Sequence, residues 1–202
     1  MAHGPRYNVP FRRKREGRTD YKQRIRLVLS ERPRLVIRRT NKHMVVQLIE
    51  ARPDGDFTLA SSKSSELIKK YGWKASCGNL PASYLTGLLG GSRALQKDVT
   101  KAVLDMGLNI SSKGSRIYAA LKGVLDAGVE IPHSEEILPD MERLQGKHIS
   151  NLSQTLSENS ELYDKQFSKY VSEKFDPKKM TEHFEEVKEK ILQEYSKVKS
   201  KA

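Results

Sequence analysis

The densest chemistry in this sequence is cationic and lies near its start. Arg6 is followed by the run Arg12-Arg13-Lys14-Arg15 and then by Arg18, Lys22, Arg24 and Arg26. Residues 1–44 hold 14 Lys and Arg against 3 Asp and Glu, so +11 of the chain's net charge of +12 sits there. A solubility device would spread such charge over the surface, whereas a segment that meets a polyanion concentrates it. Arginine outnumbers lysine, and its planar fork suits bidentate contact with phosphate and stacking on bases. Tyr7, Phe11 and Tyr21 are interleaved with these cations, which adds platforms for unpaired bases and favours nucleic acid over a membrane surface. If roughly six or seven of the cations meet phosphates, counterion release lowers affinity by about 10³ between low and moderate salt.

Three smaller constellations extend this footprint. Period two in the segment Arg34 to Arg39 puts Arg34, Val36 and Arg38 on one face and Leu35, Ile37 and Arg39 on the other, so a positive sheet face is expected. Asn41, Lys42 and His43 stand at the following turn, where side chains reach outward. Lys113-Gly114-Ser115-Arg116 precedes a helical pattern, and a helix N-terminus attracts anions. Trp73, in Tyr71-Gly72-Trp73-Lys74, is read as a core or rim anchor in preference to a stacking platform.

Tests for catalysis return little. Gly87-Leu88-Leu89-Gly90-Gly91-Ser92 lacks the lysine and spacing of a phosphate-binding loop and is read as a helix break. His3, His43, His133, His148 and His183 occur singly, with no partner at metal-ligand spacing. Asp105 could serve as a general base, but no acid or nucleophile accompanies it. No enzyme, cofactor, metal or small-molecule substrate is expected.

The elements that must position these residues follow from pattern. Residues 1–19 show no sustained period and are expected as an extended basic arm. Asp20 caps a helix carrying Tyr21, Arg24, Ile25 and Val28, ended by Pro33. Arg34–Arg39 and His43–Ile49 form a hairpin, and Phe57–Ala60 adds a third strand after the turn Pro53-Asp54-Gly55-Asp56. Helices are expected over Ser64–Tyr71, over Pro81–Leu95 with Asn79 as N-cap, and over Ser115–Ala127 with Gly128 as the stop; a strand is expected over Ala102–Asp105. The fold class is therefore α/β, a mixed-sheet sandwich with helices packed on the sheet. Its divisions are the arm (1–19), an RNA-binding body (20–145) and a helical C-terminal extension (146–202). Two helices are expected in the extension. The better one starts at Asp176-Pro177, and its seam Met180, Phe184, Val187, Ile191, Tyr195, Val198 is expected to dock on the body.

The single cysteine, Cys77, allows no internal disulfide and fits a reducing compartment. No apolar run is long enough to cross a membrane, and the expectation is a cytosolic protein without a membrane partner. Two functional classes remain: a non-enzymatic protein that binds structured RNA, and a duplex-DNA or nucleoid protein that lays the arm in a groove.

An ordered set of motifs narrows this. Gly4-Pro5-Arg6-Tyr7, Val9-Pro10-Phe11-Arg12-Arg13, Arg18-Thr19-Asp20-Tyr21, Arg32-Pro33-Arg34-Leu35-Val36 and Asn41-Lys42 are followed by Tyr71-Gly72-Trp73-Lys74 and Tyr84-Leu85-Thr86-Gly87. Ala102-Val103-Leu104-Asp105-Met106-Gly107-Leu108, Gly114-Ser115-Arg116, and Asp126-Ala127-Gly128 with Ile131-Pro132-His133 complete the set. Over roughly residues 4–150 the chain resembles the archaeal and eukaryotic branch of large-subunit ribosomal protein family eighteen, which binds 5S ribosomal RNA. The resemblance implies an α/β sandwich that joins 5S rRNA to the large rRNA in the central protuberance, beside another 5S-binding ribosomal protein. It implies RNA contacts at Arg6, Tyr7, Arg12, Arg13, Arg18, Tyr21, Arg34, Arg38, Asn41 and Lys42, and along Lys113 to Arg116. Charge and position add Phe11, Lys14, Arg15, Lys22, Arg24 and His43. The opening motif and the long tail, which bacterial members lack, imply an archaeal source.

Overall fold

In the computed structural model, residues 4–199 are described, with side chains through residue 195; His3 and the side chain of Val198 lie outside the described residues. Four strands form one mixed sheet in the order β3-β2-β1-β4. They are β1 (Arg34–Arg39), β2 (Met44–Arg52), β3 (Gly55–Lys63) and β4 (Val103–Asp105). β1 pairs with β2 from Arg34↔Ile49 to Arg39↔Met44, and β2 pairs with β3, both antiparallel; β4 lies parallel to β1. The meander extends further than its sequence pattern, because only Pro53 and Asp54 are left as the turn and Gly55, at φ +141°, already starts β3.

Ahead of the sheet lie α1 (Arg12–Arg15) and α2 (Tyr21–Val28). α1 corrects the expectation of a wholly extended arm: one helical turn forms inside it, closed by Glu16 N–H donating to Arg12 O. Asp20 caps α2 as expected, its Oδ1 accepting from the amides of Lys22 and Gln23. Pro33 does not end α2. The helix stops at Val28, Ser30 Oγ donates back to Leu27 O, and Glu31 takes a φ of +53°.

Behind the sheet lie α3 (Ser64–Tyr71), α4 (Leu80–Leu95) and α5 (Arg116–Ala127). Leu35, Ile37, Met44, Val46 and Leu48 face Ile117, Ala120, Leu121 and Val124 of α5 in one hydrophobic cluster. The stripe of α5 and its Gly128 stop, at φ +108°, are as the sequence indicated. α4 is buried almost all round, with only Arg93 and Leu95 partly exposed, because it also faces a second cluster on its far side.

The run of glycines does not break α4. Helix continues through it, because Gly87 and Gly91 lie where α4 meets α5 and Gly90 lies against Ser62 and Val46 of the sheet. A Cβ placed on Gly87 would lie 2.0 Å from Ala120 O, and one on Gly123 would lie 2.1 Å from Tyr84 O. No residue larger than glycine fits these crossings.

The chain ends in α6 (Met141–Leu144), α7 (Lys147–Leu156), α8 (Ser160–Ser172) and α9 (Met180–Lys199). Three helices, not two, therefore lie beyond residue 146 among the described residues; α7 and α8 are short and mostly polar, which hides their period. Asp176 Oδ1 accepts from Lys178 N–H and leads through a 3-10 turn, Pro177–Lys179, into α9. Met180, Phe184, Val187 and Ile191 are each 0% exposed against α4, Tyr71 and Trp73. At about 1.5–3 kcal/mol per buried side chain this seam holds the tail firmly on the body. Trp73 stacks on His183 with ring centroids 5.0 Å apart, Lys74 N–H donates to His183 Nε2 at 3.1 Å, and Arg93 Nε donates to Tyr195 Oη at 3.0 Å. Trp73 is thus a core anchor, 1% exposed.

Candidate nucleic-acid interface

The arm folds back on itself only loosely. Arg13 Nε donates to Thr19 Oγ1 at 2.9 Å, and Phe11 lies 5.0 Å from Tyr21, ring to ring. Arg12 and Arg18 share the carboxylate of Glu16 at 3.6 and 3.2 Å, both on open surface where such pairs are weak. Arg6, Lys14, Arg15 and Lys22 are exposed and have no carboxylate partner among the described residues. Tyr7 and Phe11 are 46% and 70% exposed. Cations and aromatic faces are therefore presented together, and nothing in the body neutralises most of them.

On the sheet face beneath α2 the charges are arranged differently. Arg34 is buried, its Nη1 3.0 Å from Asp105 Oδ2 and its Nη2 2.8 Å from Asp56 Oδ1, the latter an ion pair without hydrogen-bond alignment. Arg38 donates to Asp105 Oδ1 at 2.9 Å and to Asp105 O at 2.7 Å, and Arg24 reaches Asp56 at 2.9 Å. Three guanidiniums thus meet two carboxylates. The expected open positive face is corrected: alternation placed Arg34 and Arg38 on one side, but β4 and the start of β3 bring Asp105 and Asp56 against them. Arg34 is enclosed as a structural ion pair, while the Arg38 side chain, 41% exposed, still reaches solvent. Asp105 is occupied by both arginines and by Gly107 N–H, so it has no free oxygen for base chemistry.

At the hairpin turn Asn41 and Lys42 point to solvent. His43 turns inward instead, its Nδ1 3.3 Å from Ser64 Oγ. The turn is closed by Thr40, whose N–H donates to His43 O at 2.8 Å and whose Oγ1 accepts from His43 N–H at 2.9 Å. Arg116, at the start of α5, donates through Nη1 to Gly78 O at 2.8 Å and Thr40 O at 3.3 Å, tying the hairpin turn to the helix end. Lys113 is exposed, and the Ser115 hydroxyl is enclosed without a partner. Sequence reasoning missed Arg39 and Arg143, which line one cleft with Ser115 and Arg116. Their common signal is weak: each sits at the end of its own element.

No group of His, Cys, Asp and Glu among the described residues could hold a metal ion, and no described helix is long and apolar enough to cross a membrane.

The family model described as "Ribosomal large subunit proteins 60S L5, and 50S L18" matches residues 5–100 and 96–134. Three archaeal relatives, each named "Large ribosomal subunit protein uL18", align along nearly the whole chain. The protein of Staphylothermus marinus is 49% identical, covering 98% of this chain and 98% of its own. That of Aeropyrum pernix is 53% identical over 98% of this chain and 93% of its own, and that of Caldivirga maquilingensis is 49% identical over 100% and 98%. The chain belongs to the family of large-subunit ribosomal proteins that this description covers.

Proposed function

We propose that this chain binds 5S rRNA and helps attach it to the large rRNA in the central protuberance, next to another 5S-binding ribosomal protein. Membership of the family makes it a structural constituent of the large ribosomal subunit, cytoplasmic and without enzymatic activity. One observation carries the finer reading: an arm of exposed arginines, whose only carboxylate partner among the described residues is Glu16, interleaved with exposed aromatic rings, on a chain whose motifs resemble the 5S-binding branch. Residues 1–19 act as the contact arm, residues 20–145 as the body that fixes its exit, and residues 146–202 as a brace on the body. Within the arm and α2, Arg6, Tyr7, Phe11, Arg12, Arg13, Lys14, Arg15, Arg18, Tyr21 and Lys22 are the proposed contacts. Arg38, Asn41, Lys42 and Lys113 continue the surface.

The test replaces Arg12, Arg13 and Arg15 by Gln in the full chain and measures affinity for 5S RNA across a salt series. Each lost phosphate contact lowers the slope of log K against log salt by about 0.7–0.9, so three should flatten it by roughly two. An unchanged slope refutes the role of the arm. Equal affinity for random duplex DNA at moderate salt would favour a DNA-binding protein instead.

A further inference from the structure

A cleft opens where the end of β1, the loop before α5, the start of α4 and α6 come together. Its polar lining is Arg39, Ser112, Gly114, Ser115, Arg116 and Arg143, with Leu80, Ile110 and Ile117 as apolar wall. Three stretches far apart in sequence each bring one arginine, and no carboxylate is among the lining residues. Arg39 Nε donates only to Asn109 Oδ1 at 3.1 Å, and Arg116 only to backbone carbonyls. The Arg143 side chain has no hydrogen bond or ion pair among the described residues. Gathering like charges without a counter-charge is unfavourable unless an anion completes the set.

Two further features lie beside this space. The cleft lies at the N-terminus of the 12-residue α5, where unbonded amides and the helix dipole add positive potential. Ser115 holds the N-cap position, yet its side chain makes no capping bond, and its Oγ is enclosed without any partner. A serine there normally bonds its own helix, and a buried hydroxyl left open is costly. The Arg116 guanidinium is held below the usual arginine range, first by burial and then by the charge of Arg39, strain that a bound anion would relieve.

We propose that this cleft is an oxyanion site that seats one backbone phosphodiester of RNA, with Arg39, Arg116 and Arg143 as its cations. The proposal rests on the RNA-binding reading and deepens it by placing a second, rigid contact apart from the arm. RNA is favoured over a free ion because Arg39 and Arg143 are exposed and leave the cleft open, and because Arg116 joins it to the hairpin turn bearing Asn41 and Lys42.

The test uses the full chain and the variant Arg39→Gln with Arg143→Gln; Arg116 is spared because it ties Thr40 to Gly78. Titration with inorganic phosphate at low ionic strength is followed by amide chemical shifts. Saturable shifts at Gly114, Ser115, Arg116 and Ile117 that vanish in the variant support the site, and absence of shifts in the unmodified chain overturns it. In parallel, 5S RNA affinity is measured against salt for both chains and for the arm variant Arg12→Gln, Arg13→Gln, Arg15→Gln. The cleft variant should bind about tenfold more weakly at moderate salt, with a slope shallower by roughly one to two. If the arm variant loses affinity and the cleft variant does not, the cleft contact is refuted while RNA binding by the chain stands. If the unmodified chain shows no preference for the RNA but keeps its phosphate response, the assignment of the site to RNA is overturned together with the wider reading.

Discussion

Replacing Gly87 by Ala tests the crossing on which the whole body is built. In an isolated helix the change is favourable by about 1 kcal/mol, because alanine loses less backbone entropy. Here the added methyl would lie 2.0 Å from Ala120 O, 2.8 Å from Ala120 C and 2.9 Å from Ala120 Cα. All three atoms are backbone, so no side chain can rotate away, and α4 and α5 must separate by more than about 1 Å to restore van der Waals distance. Overpacking of this kind costs about 1–3 kcal/mol or more. Because the obstructing atoms are backbone, the cost lies at the upper end, about 3 kcal/mol, and set against the propensity gain of about 1 kcal/mol it leaves a net loss of about 2 kcal/mol, or roughly 4–8 °C in Tm for a chain of this length. Gly123→Ala should behave alike, since its methyl would lie 2.1 Å from Tyr84 O. Gly90→Ala is the internal comparison, because its methyl would meet side-chain atoms, Ser62 Oγ at 2.8 Å and Val46 Cγ1 at 3.1 Å, that can shift. Thermal and urea unfolding of the three variants would give the ranking. A Gly87→Ala protein as stable as the unmodified chain, or more so, would mean that the helices do not cross at backbone contact.

Two other perturbations probe the ionic and aromatic joints. Asp105→Asn should destabilise by about 3–5 kcal/mol in denaturant titrations, because it strips a carboxylate from the enclosed Arg34; a loss below about 1 kcal/mol would show that Asp56 alone suffices. Stability should also fall as pH drops below the ordinary histidine range. His183 is held below its usual value, chiefly by burial, while Glu186 opposes the shift and Lys190 and Lys74 add to it. A depressed folded-state value means that the unfolded chain takes up the proton first, so the contribution is present above about pH 6.5 and is lost as pH falls toward the folded value. His183→Gln should flatten that slope in melting curves taken between pH 5 and 7, leaving the part due to His148, whose value is also lowered by burial and by Arg143.

Local signals carried most of the fold. Asp20, Asn79 and Gly128 mark helix ends by chemistry that acts within a few residues, and each does so in the structure. Failures arose where partners distant in sequence decide the outcome. The glycines of α4 are weak helix formers locally, and only neighbours distant in sequence explain them: Ala120 at Gly87, Ser62 and Val46 at Gly90, Val124 and Ala127 at Gly91. Arg34 alternates like a surface residue, yet Asp105, 71 positions later, turns it into a buried ion pair. For the same reason the arm was legible from charge alone, whereas the cleft of Arg39, Arg116 and Arg143 required three separate elements to be brought together.

The two-sided burial of α4 has a consequence for synthesis. Its outer face, with Tyr84, Leu85 and Leu88, is covered by Met180, Phe184, Val187 and Ile191, which are made about a hundred residues after that helix is complete. At about 5–20 residues per second, that face waits roughly 5–20 s for its cover. During this interval the nascent body carries an apolar stripe able to capture another chain or a chaperone. The last helix is therefore a lid on the folding process as well as a brace on the finished protein, and a chain truncated before it should be aggregation-prone even with every basic residue of the arm in place.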